Sequence, residues 1–366
     1  MNNIVIIGFG ISSLCFLLYL YDNNLIKKFS SITILEKNNC PCFSTLNYNI
    51  NSNSTLRSLI SMFTNEIFKE IIEDINNTYN LDKFIPLHLY NKILIRLSNT
   101  FLKYIKKIPN IYTFFNYNVY KITTLLNDKL QINDDIITDK IILATGGNQS
   151  KEYLETLDTN NIIKNRDNII LPHEIFTTKS LEKYNNKNII IIGSSHSIMS
   201  IIDILYHNKI NFKKILIYHR RKIKVFYYNL EECLKNKDTC EINDICTETN
   251  FINRFDGLRE NSKKIYLNIN SDKRITFENN YKKINFDNYN YIIPCWGYYK
   301  LIPKIDNKLS FNIQSTNNYQ LILNNDLKKN IFLLGIMSNP KVKITQKSFT
   351  KSIDGVWYYY NIISKE

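Results

Sequence analysis

Two stretches of this chain share one pattern of apolar and polar positions. Near the amino terminus the uninterrupted run Ile4-Val5-Ile6-Ile7 breaks at Gly8-Phe9-Gly10 and resumes as Leu14 to Leu20. Further on, Ile189 to Ile192 breaks at Gly193-Ser194-Ser195 and is followed by a second apolar, helix-like stretch. A short run that is apolar at every position predicts a strand buried on both faces, as in a parallel sheet. Each run is followed by a small-residue turn and then a helix. Further strands are predicted at Ile32-Thr33-Ile34-Leu35, Ile141-Ile142-Leu143, Lys214 to Tyr218, Tyr291 to Pro294 and Ile331 to Leu334. A meander is predicted from Tyr112 to Val119, Lys121 to Leu125, Lys129 to Ile132 and Ile136 to Ile137. Asn47 to Thr55 is polar throughout and reads as a loop, whereas Leu56 to Ile75 and Leu87 to Ile108 carry helical patterns.

A strand that ends in a glycine turn and leads into a helix delivers backbone amides to a dinucleotide pyrophosphate. In the first copy Gly8 permits the tight turn and Gly10 lets the backbone approach a phosphate. Ser13 takes the place of the third glycine and is still small enough for helix-on-strand packing. The next strand ends on Glu36, 28 residues after Gly8, where a carboxylate accepts hydrogen bonds from a ribose 2′-hydroxyl. In the second copy Gly193 is kept, but Ser195 and Ile198 replace the later glycines, so this turn is degenerate. Ser195 both crowds a pyrophosphate and offers it a hydroxyl; His196 and Ser197 follow it. The strand Lys214 to Tyr218 runs into His219-Arg220-Arg221-Lys222, with Arg221 again 28 residues after its glycine. Where the first copy places an acid, the second places arginine forks suited to a 2′-phosphate. The pair therefore reads as a dinucleotide with a free ribose hydroxyl first and one with a 2′-phosphate, NADPH, second. A decayed second turn on a solvated basic loop remains the alternative.

The chain resembles the two-dinucleotide-binding-domain flavoproteins, on the turn Gly8-Phe9-Gly10-Ile11-Ser12-Ser13 with Glu36, on Ala144-Thr145-Gly146-Gly147, and on Ile331 to Gly335. Cys295-Trp296-Gly297-Tyr298 keeps the Gly-Tyr of the second Ala-Thr-Gly-Tyr strand of flavin-dependent monooxygenases. The resemblance implies an α/β fold of two Rossmann-like, three-layer dinucleotide-binding domains, the second inserted into the first. The FAD domain would span 1–160 and 303–366 with a helical segment at 55–108, and the NAD(P)H domain 161–302. It also implies FAD contacts from Lys37, Val119, Thr145, Gly146 and Gly335. Ser52, Asn53 and Ser54 would lie near the isoalloxazine, Asn53 being the one candidate for contact with an oxygen adduct of the flavin. The activity implied is that of a single-component flavin monooxygenase acting on a small molecule, similar to the N-hydroxylating and flavin-containing types. A reductase of a protein, disulfide or quinone acceptor and a non-catalytic flavin-binding regulatory protein stay open.

Composition refines this picture. The 366 residues allow two domains with separate cores, and 44% hydrophobic content argues for a globular chain. A net charge of +14 comes from basic residues spread throughout, which reads as a lysine-coated surface rather than a nucleic-acid face. Seven cysteines at irregular spacing fit a reducing compartment. Cys40-Pro41-Cys42 lies four to six residues after Glu36, which puts it nearer the adenosine end than the flavin ring and leaves its redox role open, and Cys233, Cys240 and Cys246 lack zinc spacing. The apolar stretch from Ile4 to Tyr21 lacks a basic flank and is broken at Gly8-Phe9-Gly10, so neither a signal peptide nor a membrane span is expected. The expectation is a soluble, cytoplasmic enzyme with FAD, NADPH and a small-molecule substrate, in an oligomeric state left open.

Overall fold

The computed structural model describes residues 2–41, 48–158, 162–163, 166–178, 180–246, 249–253, 257–307, 313–315, 320–323 and 326–334. From the amino terminus the strands run β1 (Asn2–Ile7), β2 (Phe29–Glu36), β3 (Asn51–Thr55), β4 (Phe84–Pro86) and β5 (Ile111–Phe115). A short meander follows, β6 (Lys121–Thr124), β7 (Leu130–Ile132) and β8 (Ile136–Thr138), leading into β9 (Lys140–Leu143) and β10 (Gly147–Asn148). The middle of the chain supplies β11 (Asn188–Ile192), β12 (Lys214–Tyr218), β13 (Ile275–Glu278) and β14 (Tyr291–Pro294). The last third adds β15 (Tyr299–Lys300), β16 (Lys304–Ile305), β17 (Ile313–Ser315), β18 (Gln320–Leu323) and β19 (Asp326–Leu333).

These strands make two principal sheets with one topology. The larger runs β17-β18-β19-β9-β1-β2-β5, parallel from β19 to β5 with β18 and β17 antiparallel at one edge. The smaller runs β13-β12-β11-β14 and is parallel throughout. Each places its first strand between its second strand and the strand that returns after a long crossover, the order of doubly wound dinucleotide folds. The larger sheet draws on residues 2–143 and 313–333, and the smaller on 188–294. The α/β class expected from the apolar runs is the class observed.

Strand periodicity explains the layers. Successive side chains of a strand point to opposite faces, so Ile4 and Ile6 of β1 enter a core beneath the helices Ile11–Asp22 and Leu87–Ile105. Val5 and Ile7 enter the core shared with the meander. The second copy repeats this: Ile189 and Ile191 feed one core, Ile190 and Ile192 the other. The helix Leu87–Ile105 buries Tyr90, Ile93, Leu94, Leu97, Phe101 and Ile105 in the three-and-four spacing of a helix face.

Two expectations are corrected. Tyr112 to Val119 is not a meander strand; β5 is the edge of the parallel sheet beside β2, and β16 completes the meander sheet instead. An edge strand buries one face only, so Tyr112 and Phe114 are exposed and the alternation imitates an antiparallel ribbon. The polar loop contains β3, paired antiparallel with β4 at Asn51↔Pro86 and Thr55↔Phe84. Backbone pairing carries no apolar signature, so the pattern passed over it. Among the described residues no helix is long and apolar enough to cross a membrane; Ile11–Asp22 spans 12 residues.

Candidate functional site

Both glycine turns sit at the carboxyl ends of parallel strands, and both glycines are wedged against the strand that follows the crossover. Gly8 has φ +94°, donates its N–H to the Leu35 carbonyl at 2.8 Å, and would place a Cβ 2.6 Å from the Ala144 carbonyl oxygen. Gly193 has φ +146°, donates to the Tyr218 carbonyl at 2.9 Å, and would place a Cβ 2.9 Å from the Cys295 carbonyl oxygen. Neither position accepts a side chain without displacing backbone. Cys295-Trp296-Gly297 thus stands to the second turn as Ala144-Thr145-Gly146 stands to the first, and Gly146 and Gly297 share positive φ, +77° and +92°.

The first turn is closed on itself. The Glu36 carboxylate is buried, with Oε2 accepting the Phe9 N–H at 2.7 Å and Oε1 accepting the Asn38 N–H at 2.9 Å and the Asn38 side-chain amide. Ser13 Oγ donates to the Gly8 carbonyl at 2.6 Å, so the serine in the third position fastens the helix to the turn. Gly10 is the cap of the helix Ile11–Asp22, whose first amides have no intrahelical acceptor. The acid at a strand end, a glycine cap and free helix amides form a cradle that fits an adenosine ribose and a pyrophosphate; Oε1 already accepts two bonds and Oε2 one, so Oε2 keeps a lone pair for a further donor. Asn38, which steadies the acid, had no motif spacing to reveal it.

The second turn is open. Ser195 caps the helix His196–His207 with an exposed side chain that makes no capping bond. His196 Nε2 accepts the backbone N–H of Arg259 at 3.2 Å, and burial, helped by the Arg259 charge, holds its pKa down at about 4. Ser197 is half-buried and Ile198 fully buried, filling the place that Ser13 takes in the first copy. Arg220 and Arg221 are exposed and form no ion pair among the described residues, whereas Lys222 is held by Asp238 at 3.0 Å. Register amends the residue count here. Leu35 and Tyr218 accept from equivalent glycines, so His219 occupies the place of Glu36, and Arg220 and Arg221 stand one and two residues beyond. These residues fit a nucleotide that carries a 2′-phosphate.

Other expected residues fall variously. Thr145 Oγ1 donates to the Leu301 carbonyl, and the Gly146 carbonyl accepts the Leu301 N–H at 3.2 Å, so both tie the ends of the crossover together. There β10 and β15 pair antiparallel, and buried Gln149 donates to the Gly297 carbonyl at 3.0 Å. Lys37 is exposed, and Val119 packs against the meander core. Ser52 is buried, and its hydroxyl accepts the Ile85 N–H at 3.1 Å, a bond that secures β3 to β4. The side chains of Asn53 and Ser54, and the whole of Gly335 and Cys42, lie outside the described residues. Cys40 is exposed, while Cys15, Cys233 and Cys295 are buried. Among the described residues no group of three or more metal-ligating side chains gathers.

No protein-family model matches the sequence, and no curated protein resembles it significantly. Solved structures do resemble it. The FAD-bound cadaverine monooxygenase of the desferrioxamine pathway from Erwinia amylovora superimposes with a TM-score of 0.57 at 11% identity, over 90% of this chain and 87% of that one. The reduced form of ornithine hydroxylase from Pseudomonas aeruginosa gives 0.55 at 13% identity over 91% and 92%. L-lysine 6-monooxygenase from Pseudomonas syringae gives 0.52 at 12% identity over 92% of each chain. At such identities the likeness shows the fold.

Proposed function

We propose that this chain is an NADPH-dependent FAD oxidoreductase, a single-component flavin monooxygenase acting on a small molecule. The observation that carries the reading is the duplicated turn: two sheets of one strand order, each wedging a glycine on the returning strand, one ending on a buried acid and the other on exposed arginines. On this reading Gly8, Gly10, Ser13 and Glu36 hold the adenosine and pyrophosphate of FAD, with Thr145 and Gly146 at the crossover beside them. Gly193, Ser195, His196 and Ser197 receive the nicotinamide dinucleotide, and Arg220 and Arg221 select its 2′-phosphate. The bound pair would supply hydride transfer and oxygen activation, and the residues of this chain supply alignment and exclusion of water. The domain division goes with the reading: 1–160 and 303–366 for FAD, 161–302 for NADPH. Primary amines are the first substrates to assay, because the similar structures are named for acting on cadaverine, ornithine and lysine.

The test begins with the visible spectrum of the purified protein. A yellow protein that NADPH bleaches without air, and that yields hydroxylated product once air and an amine are admitted, supports the monooxygenase. Bleaching followed by hydrogen peroxide alone, with every amine unchanged, would favour a reductase. A yellow protein that NADPH never bleaches would favour a flavin-binding module without catalysis.

A further inference from the structure

At the end of β12 the second copy puts a histidine where the first puts its acid. Leu35 and Tyr218 accept from the two turn glycines at 2.8 and 2.9 Å, so Glu36 and His219 are the next residues of equivalent strands. A carboxylate at this place only accepts, which suits a ribose hydroxyl and opposes a phosphate. An imidazole can do either, and its protonation decides which.

The half-buried His219 ring is held so that one of its nitrogens is committed. Nδ1 lies 3.0 Å from the Arg221 carbonyl oxygen. A carbonyl can only accept, so Nδ1 carries a proton in the neutral ring as well as in the cation. Every change of state therefore falls on Nε2, a bare acceptor in the neutral ring and a charged donor in the cation. The same bond folds the backbone of Arg220 and Arg221 back onto the ring, which keeps these two residues beside it. The strand β13 supports it from another side. There the Glu278 carbonyl accepts the His219 N–H at 3.0 Å, and the Phe277 ring stands edge-on with 6.2 Å between centroids.

The charges around the ring are mixed. Arg220 and Arg221 follow it in the chain, and the Glu278 carboxylate interacts with it from β13, with Lys283 also within reach of that carboxylate. Glu278 is held below the usual carboxylate range by the Asn280 N–H first, at 2.8 Å, then by the Asn279 N–H at 2.9 Å and the Lys283 and His219 charges. This acid offsets part of the repulsion that two arginines exert on a charged ring.

We propose that His219 tunes coenzyme preference through its protonation state: neutral Nε2 accepts the ribose 2′-hydroxyl of NADH, and protonated Nε2 donates to the 2′-phosphate of NADPH. This rests on the reading of the second turn as the nicotinamide-dinucleotide site. Arg220 and Arg221 supply a constant positive charge to the 2′-phosphate, and His219 makes the preference for NADPH rise as the medium becomes more acid. With the ring neutral, the bare nitrogen and the phosphate oxygens are all acceptors, and no hydrogen joins them.

The test is calorimetric titration of the FAD-loaded protein with NADP+ and with NAD+ at pH 8.5, 7.5 and 6.5, flagged here as roughly the span over which an imidazole changes charge. In the parent the ratio of the two affinities should move towards NADP+ by roughly three- to tenfold across this range, the size of an exposed charge-assisted contact. His219→Gln, which cannot take up the proton, should lose that rise. His219→Arg, a permanent cation, should favour NADP+ at every pH with no rise. The 2′-phosphate takes up its own second proton at about pH 6, a trend common to all three proteins that the comparison cancels. An unchanged flavin spectrum and unfolding midpoint establish that the variants are folded. A parent ratio that stays flat, or a rise that survives in His219→Gln, overturns the proposal alone. A parent protein that binds neither NADP+ nor NAD+ overturns the reading of the second turn and the proposal with it.

Discussion

The two turns share a backbone and differ in where their polar groups are spent. In the first, Glu36 is bonded to Phe9 and Asn38, and Ser13 is bonded to Gly8, so every partner lies within the motif. In the second, the polar contact to the turn comes from Arg259, and the cations at the strand end point to solvent. What the copies hold in common is the glycine that packing demands, Gly8 against Ala144 and Gly193 against Cys295. The positions that differ come later in the turn, Gly10 against Ser195 and Ser13 against Ile198. A turn that looks worn by motif counting is therefore intact as structure.

The shared part should break hardest. Gly8→Ala and Gly193→Ala each force a side chain into positive φ and against a carbonyl at 2.6 and 2.9 Å. The backbone strain alone costs roughly 1–3 kcal/mol. Urea unfolding should show a loss of at least that size in both variants, and Gly8→Ala should also be purified with little FAD. Stability unchanged in either variant would mean that the wedge is not tight.

The acid and the arginines separate the copies. Glu36→Ala removes a buried carboxylate that holds the turn, so it should destabilise the FAD-free protein as well as release FAD, by roughly 1–3 kcal/mol for an orphaned buried donor. Arg220→Ala with Arg221→Ala touches exposed side chains without an ion pair among the described residues. It should leave the unfolding midpoint where it was, raise the Michaelis constant for NADPH and leave that for NADH nearly unchanged. Equal use of both nucleotides by the parent would count against this assignment.

The legibility of the chain follows the same division. Strands buried on both faces, such as β1 and β11, declared themselves because each carries a short run apolar at every position, rich in β-branched residues and closed by a glycine turn. Glu36 stood out because it ends the strand that follows the turn helix, and in the structure it is buried and bonded back to the turn at Phe9. The count erred at Arg221, since β2 is 8 residues long and β12 only 5, and only the pairing of Gly193 with Tyr218 sets the register. Arg259 and Asn38 escaped because they act through tertiary contact or a local side-chain bond, and neither leaves a periodic trace. β3 escaped for a like reason: its Ser52 is buried and bonded, but in sequence it is one polar residue among many.

A smaller effect should come from acid. His196 has an ordinary value of 6.5 and is held at about 4 by burial and by the neighbouring Arg259, with its Nε2 occupied as an acceptor. Between these values the unfolded chain binds a proton that the folded protein refuses. Stability is therefore full above about pH 6.5 and falls as pH is lowered towards about 4. His196→Gln should flatten that part of the profile, measured as unfolding midpoint against pH at constant salt. A variant with the same slope as the parent would place the acid sensitivity elsewhere.

The smallest effect is expected from the cysteines nearest the first turn. Cys40 is exposed and follows Glu36 by four residues, with buried Pro41 directly after it. On the proposed reading Glu36 marks the adenosine end of FAD, while hydride and electrons move at the ring. Those ends lie roughly 10–15 Å apart on extended-chain and helix-scale dimensions. A dithiol at Cys40 and Cys42 would have to double back across that distance, and the fixed φ of the proline between them resists such a turn. Replacing both cysteines by serine should leave NADPH-driven flavin bleaching and turnover within a few-fold of the parent. Should the double variant bleach normally and yet fail to turn over, electrons leave through that pair, and a disulfide reductase takes the place of the monooxygenase.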